Sequence, residues 1–109
     1  MKHIELLQKY LSNLALVNIK LHNIHWNVIG EQFMEIHNYT EEVYDELFQN
    51  LDEVAELLKM KDIMPLSTMK DYLENATVEE IEAKDYSVKE SLEIIKKDME
   101  LMKDLATDI

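Results

Sequence analysis

The sequence predicts an all-α protein, an antiparallel bundle of long helices. Three observations carry this. One glycine and one proline in 109 residues leave almost nothing to break a helix, and 47% of the residues are hydrophobic. Apolar residues recur at alternating three- and four-residue steps over three long stretches. The breaks between these stretches coincide with Gly30, Pro65 and the polar segment 76–86.

The first helix is expected over Lys2–Ile29. Its seam is Ile4, Leu7, Leu11, Leu14, Leu21 and Val28, interrupted by Asn18 and His25, and Gly30 is placed to stop it. A second helix follows over Gln32–Met60, with Ile36, Val43, Leu47, Leu51, Val54 and Leu58 on one side. So short a connection allows only an antiparallel hairpin. Pro65 ends this pattern. Ser67–Asn75 reads as a short helix with Leu66, Met69 and Leu73 on one side, and Thr77-Val-Glu-Glu80 as a single capped turn at most. Ser87-Val-Lys-Glu90 is a capping box that opens a last helix, with Val88, Leu92, Ile95, Met99, Met102, Ala106 and Ile109 as its seam, widened by Ile94, Leu101 and Leu105. That seam reaches Ile109 undiminished. The expectation is one domain over residues 1–109, incomplete at its C-terminus and lacking a fourth bundle helix.

Composition excludes several functions. Without cysteine there is no disulfide framework, zinc ribbon or thiol catalysis. A formal charge of −12 repels DNA and anionic membranes and attracts cations. Residues 1–7 hold a single lysine, so neither a signal peptide nor a basic nucleic-acid arm is expected there. No apolar run approaches the roughly 20 residues that span a bilayer. These points favour a soluble cytoplasmic protein.

The second helix carries two polar pairs at i, i+4 spacing, His37 with Glu41 and Asp52 with Glu56. At about 100° per residue all four lie within a band roughly 100° wide. The pairs are about 22 Å apart along the axis and cannot share a ligand within one chain. Two such helices packed about a two-fold axis would bring the imidazole end of each against the acidic end of the other. The axis would pass near Glu46 and Leu47, with Phe48 buried beside it. His25 adds a donor, because a tight hairpin brings it near His37. One half-site would hold His25, His37 and Glu41, and the partner chain would supply Asp52 and Glu56. Imidazole with carboxylate suits iron, manganese or zinc.

Plainer readings stand beside this one. Charged i, i+4 pairs are ordinarily a solvated face, although two acids so spaced repel each other by about a few tenths of a kcal/mol when no cation is present. His37 alone reads as a surface or interface histidine, His25 as a satisfied core histidine, and Trp26 as packing. His22 is expected at the bundle rim without a role. The Glu-x-x-His pattern of buried di-iron bundles is absent.

Leu21-His-Asn-Ile-His-Trp-Asn-Val-Ile-Gly30, then His37, Leu51-Asp-Glu-Val-Ala-Glu56 and Pro65-Leu-Ser-Thr-Met-Lys-Asp-Tyr-Leu-Glu74 together resemble the Dps family of mini-ferritins (DNA-binding proteins from starved cells) over residues 10–109. The resemblance implies a ferritin-like bundle. It also implies a ferroxidase centre between two-fold-related subunits, with His25, His37 and Glu41 from one and Asp52 and Glu56 from the other. Trp26 matches a tryptophan implied to supply or relay electrons near the iron. Iron(II) would be oxidised by hydrogen peroxide and stored as ferric mineral in a hollow dodecamer, which limits oxidative stress. Three departures are visible. Position 41 is often Asp in the family, and Glu41 is one methylene longer. The fourth helix and the cage contacts it would make are missing. There is no basic N-terminal tail, and at −12 charge DNA binding is not expected. Two alternatives remain: a non-catalytic truncated helical dimer module, and a zinc- or manganese-binding bundle.

Overall fold

The computed structural model describes residues 2–109. Three long helices and one short one make up the fold: α1 (Lys2–Asn27), α2 (Phe33–Met60), α3 (Met69–Asn75) and α4 (Val88–Asp108). Two dipeptide strands, β1 (Val28–Ile29) and β2 (Tyr86–Ser87), pair in parallel, with Val28 opposite Tyr86 and Ile29 opposite Ser87. The body measures 48 × 25 × 19 Å.

The central helix is α1. It packs along α2, α3 and α4, whereas α2 and α4 meet only slightly. Leu14, Val17, Leu21 and Ile24 of α1 form the main core with Val28 of β1 and with Ile36, Val78, Ile95 and Met102. A smaller core at the other end joins Leu7 and Leu11 to Leu58, under Ile63 and Leu66. The seam expected for α1 is buried at every position except Ile4, which is partly covered.

Polar residues fix the joints. Asn13 is fully buried in α1. Its Oδ1 accepts from the Thr77 and Val78 amides at 2.7 and 3.2 Å, and its Nδ2 donates to Thr77 Oγ1 at 2.9 Å. Asn13 thus holds the start of the 76–85 connection, and Asn23 Nδ2 donates to the Glu82 carbonyl farther along it at 3.0 Å. Gln8 holds residues 64–66 in the same way. Lys20 of α1 and Asp98 of α4 form a buried ion pair at 2.6 Å. The capping box at Ser87 and Glu90 is present.

The structure corrects several boundaries. The first helix ends at Asn27 rather than Ile29, because Val28 and Ile29 leave it to pair with β2. Gly30 then adopts φ +116°, a conformation open to glycine because it lacks a Cβ. Space is not the reason, since an added Cβ would meet only Val88 Cγ2 at an ordinary 3.8 Å. The short helix begins at Met69 behind a Thr68 N-cap, two residues later than expected. Thr77-Val-Glu-Glu80 forms no helical turn, and its first two amides are held by Asn13. In α4 the buried line is Ser91, Ile95, Asp98 and Met102, so the expected seam residues Leu92, Ala106 and Ile109 are exposed. The Lys20–Asp98 pair turns that face inward. No described helix is long and apolar enough to cross a membrane.

Candidate metal centre

The α1–α2 hairpin brings His25 and His37 together. Their rings stack with centroids 3.6 Å apart and planes 18° from parallel. The hydrogen bonds cross: His25 Nδ1 lies 2.6 Å from the His37 carbonyl, and His37 Nδ1 lies 2.7 Å from the His25 carbonyl. A carbonyl oxygen can only accept, so both Nδ1 atoms carry the proton. Nε2 is then the nitrogen of each ring left to offer a lone pair to a metal. His25 is buried and His37 half-buried.

These bonds have a local cause. His25 lies in the last turn of α1, where carbonyls lack intrahelical partners, and the His37 imidazole satisfies one of them. A second bond between the two helices lies one heptad away. Asn18, the other interruption of the α1 seam, donates from Nδ2 to the Tyr44 carbonyl at 2.8 Å. Asn18 and His25 are seven residues apart on α1, and their partners Tyr44 and His37 are seven apart on α2, running the opposite way. Both interruptions therefore set the register of the hairpin.

Further rings surround the pair. Tyr44 meets His25 edge-on at 5.3 Å and stacks on His22 at 3.7 Å. Desolvation raises the Tyr44 phenol above its ordinary pKa, and the nearby charges of Glu41 and Asp45 raise it further. His22 is half-buried and donates to the Asn18 carbonyl, so it is a packed residue rather than a free rim histidine. Trp26 is 68% exposed, with its ring 5.5 Å from that of His22.

The remaining expected ligands are all exposed. Glu41, Asp52 and Glu56 line an open flank of α2, with Phe48 between them at 61% exposure. Glu46 is exposed, and Leu47 is half-buried against the core. The two ion pairs among the described residues, Lys20–Asp98 and Lys84–Glu90, involve none of these acids. Within one chain no three His, Asp or Glu side chains among the described residues gather into a metal pocket. The chain thus brings His25 and His37 together and leaves Glu41, Asp52 and Glu56 facing outward.

Sequence reasoning missed Thr40 and Tyr44. Thr40 is fully buried and lies 3.2 Å from His25 Nδ1. Its signal was a polar residue one turn after Ile36, on the face that α2 turns toward α1.

The ferritin-like domain family matches residues 4–109. Over 99 residues the chain is 38% identical to DNA protection during starvation protein 2 of Bacillus anthracis, covering 91% of this chain and 67% of that one. The X-ray structure of Dps from Listeria monocytogenes superposes with a TM-score of 0.91 at 34% identity, covering 95% of this chain and 68% of that one. The chain belongs to the Dps family. Dps from Listeria innocua, in a crystal soaked with zinc, matches with a TM-score of 0.88 at 35% identity over 95% of this chain and 70% of that one. The all-α, ferritin-like architecture is thereby shared with Dps proteins. The chain spans about half to two thirds of the length of its Dps relatives.

Proposed function

We propose that two copies of this chain pair across the open flank of α2 and oxidise iron(II) at sites shared between them. In each site His25, His37 and Glu41 of one protomer would face Asp52 and Glu56 of the other. The supporting observation is the division of labour along α2. An imidazole pair whose Nδ1 atoms are held by backbone carbonyls, leaving Nε2 as the other donor of each ring, sits at its start, and an acidic pair with no ion-pair partner among the described residues lies on its exposed flank. An isologous contact is the arrangement that brings those two ends together. Phe48, exposed in the single chain, is the apolar residue that such a contact would cover.

The chemistry follows from the donors. Iron(II), the substrate, is held by imidazole and carboxylate. Two iron(II) ions give one electron each, and hydrogen peroxide takes both electrons and two protons to leave two waters. The carboxylates then hold iron(III), a harder and more highly charged cation, more tightly than iron(II). Trp26 would supply an electron when peroxide exceeds iron. The product would be stored as ferric iron, and protection from oxidative stress would come from removing iron and peroxide together. At −12 charge, that protection is proposed to proceed without DNA contact. The same donor set accepts Zn2+ or Mn2+ in place of iron, a reading favoured by the zinc-soaked relative.

Mixing iron(II) with peroxide and following ferric absorbance tests the proposal. Asp52→Ala is expected to slow oxidation at least about tenfold while leaving the helical circular dichroism unchanged. Oxidation at the unaltered rate in that variant would refute the role given to Asp52.

A further inference from the structure

Thr40 occupies a position where an apolar residue would continue the stripe Ile36, Val43, Leu47 of α2, yet it is fully buried. Its hydroxyl lies 2.8 Å from the Ile36 carbonyl, 3.0 Å from the His37 carbonyl and 3.2 Å from His25 Nδ1. A hydroxyl has one proton, and carbonyls only accept. The proton therefore goes to the α2 backbone, and the oxygen is left to accept from His25. His25 Nδ1–H then has two acceptors on α2: the His37 carbonyl at 2.6 Å and the Thr40 oxygen.

Two acceptors do what one cannot. A single carbonyl fixes the distance of the N–H but lets the ring swing about that contact. Two points on one rigid helix also fix its direction, and with it the direction of the Nε2 lone pair on the opposite edge of the ring. Helical threonines often bond a carbonyl of the preceding turn simply to satisfy themselves. What that ordinary case lacks is the second contact, to an imidazole N–H on a different helix.

We propose that Thr40 is a positioning residue that aims the His25 imidazole. The aim is built into the metal-free chain, and its consequence for cations rests on the metal-site reading above.

The test uses Thr40→Val, which keeps the shape but removes the hydroxyl, and Thr40→Ser, which restores it. The first readout is the exchange lifetime of the His25 Nδ1 proton, measured by nuclear magnetic resonance without metal at about pH 8, above the ordinary imidazole range. Exchange is expected to quicken about fivefold to tenfold in the valine variant and to return toward the original rate in the serine variant. The second readout is titration with Co2+ alone. Its dissociation constant is expected to rise about tenfold in the valine variant and to recover in the serine variant. Unchanged proton exchange and unchanged Co2+ affinity in the valine variant would overturn the proposal. If valine is not accommodated, Thr40→Ala replaces it with the same expectations. An unaltered protein that takes up no Co2+ would sink the metal-site reading, and the proton exchange would then decide Thr40 separately.

Discussion

The start of α2 and the part of it beyond Phe48 are built on opposite principles. At the start, His25 and His37 stack, cross their hydrogen bonds and draw in Thr40 and Tyr44, so both imidazole Nδ1 atoms and the Thr40 hydroxyl have partners supplied by the same chain. Farther along, Asp52 and Glu56 point away from the core, and no lysine among the described residues forms an ion pair with them. One end is organised by folding. The other is left to be organised by whatever binds it. A group with a complete set of internal partners costs stability when removed, and an unpartnered like-charged pair does not. The two ends should therefore separate stability from function.

The largest effect should come from the acidic end. Replacing both Asp52 and Glu56 with alanine is expected to reduce iron(II) oxidation at least about a hundredfold in stopped-flow absorbance. The same double variant should unfold within about 0.5 kcal/mol of the unaltered chain in urea, because it removes repulsion and no contact. His25→Ala should also abolish oxidation, but at a cost of about 3 kcal/mol, since it leaves the His37 carbonyl and Thr40 without their buried donor. If the two variants lost equal stability, the contrast between the ends would fail.

A cation should bridge the contrast. Zn2+ at about 100 times its dissociation constant is expected to stabilise the unaltered protein by about 2.7 kcal/mol. It should not stabilise the double acidic variant, and paired thermal melts would read the difference. Phe48→Glu places a charge in the middle of the same flank. Light scattering should show weaker self-association in that variant, by roughly a hundredfold, with the chain still folded.

The smallest effects lie away from both ends and serve as controls. Ser87→Ala should cost about 1 kcal/mol through the lost cap of α4, without changing oxidation. Bonds from Ser87, the backbone N–H foremost, hold the Glu90 carboxyl below its ordinary pKa, with Lys84 adding to them. The charged form is thus the one favoured by the fold. Its contribution is present above the ordinary glutamate pKa and is lost as pH falls through the lowered value. Fraying at the start of α4, followed by circular dichroism, should appear in that acidic window.

Much of the hairpin was legible because periodicity reports burial directly. The α1 seam lies inside, and Asn18 and His25, which interrupt it, proved to be the residues that reach across to the α2 backbone. A polar residue on an apolar stripe has to find a partner, and an antiparallel neighbour offers carbonyls at matching heptad steps. The Ser87–Glu90 box was equally plain, because its signal is local.

The failures were non-local. Nothing in Val28-Ile29 announces a pairing with Tyr86-Ser87, 58 residues onward, which shortens α1. The inward turn of Asp98 depends on Lys20, so the α4 seam could not be phased from its own residues. In the site, the spacing of His37, Glu41, Asp52 and Glu56 fixed which residues share a flank. It could not reveal Thr40, whose hydroxyl matters through an imidazole on another helix. Nor does a single chain bring the acidic end to the imidazole end.

That last junction is tested most directly by mixing two inactive variants, one lacking both imidazoles (His25→Ala with His37→Ala) and one lacking both acids (Asp52→Ala with Glu56→Ala). If the sites are shared, each mixed pair contains one intact site, and random re-pairing after dissociation should restore about a quarter of the unaltered oxidation rate. If mixed pairs form and no activity returns, the imidazole end of one protomer does not work with the acidic end of its partner, and the shared-site account is wrong.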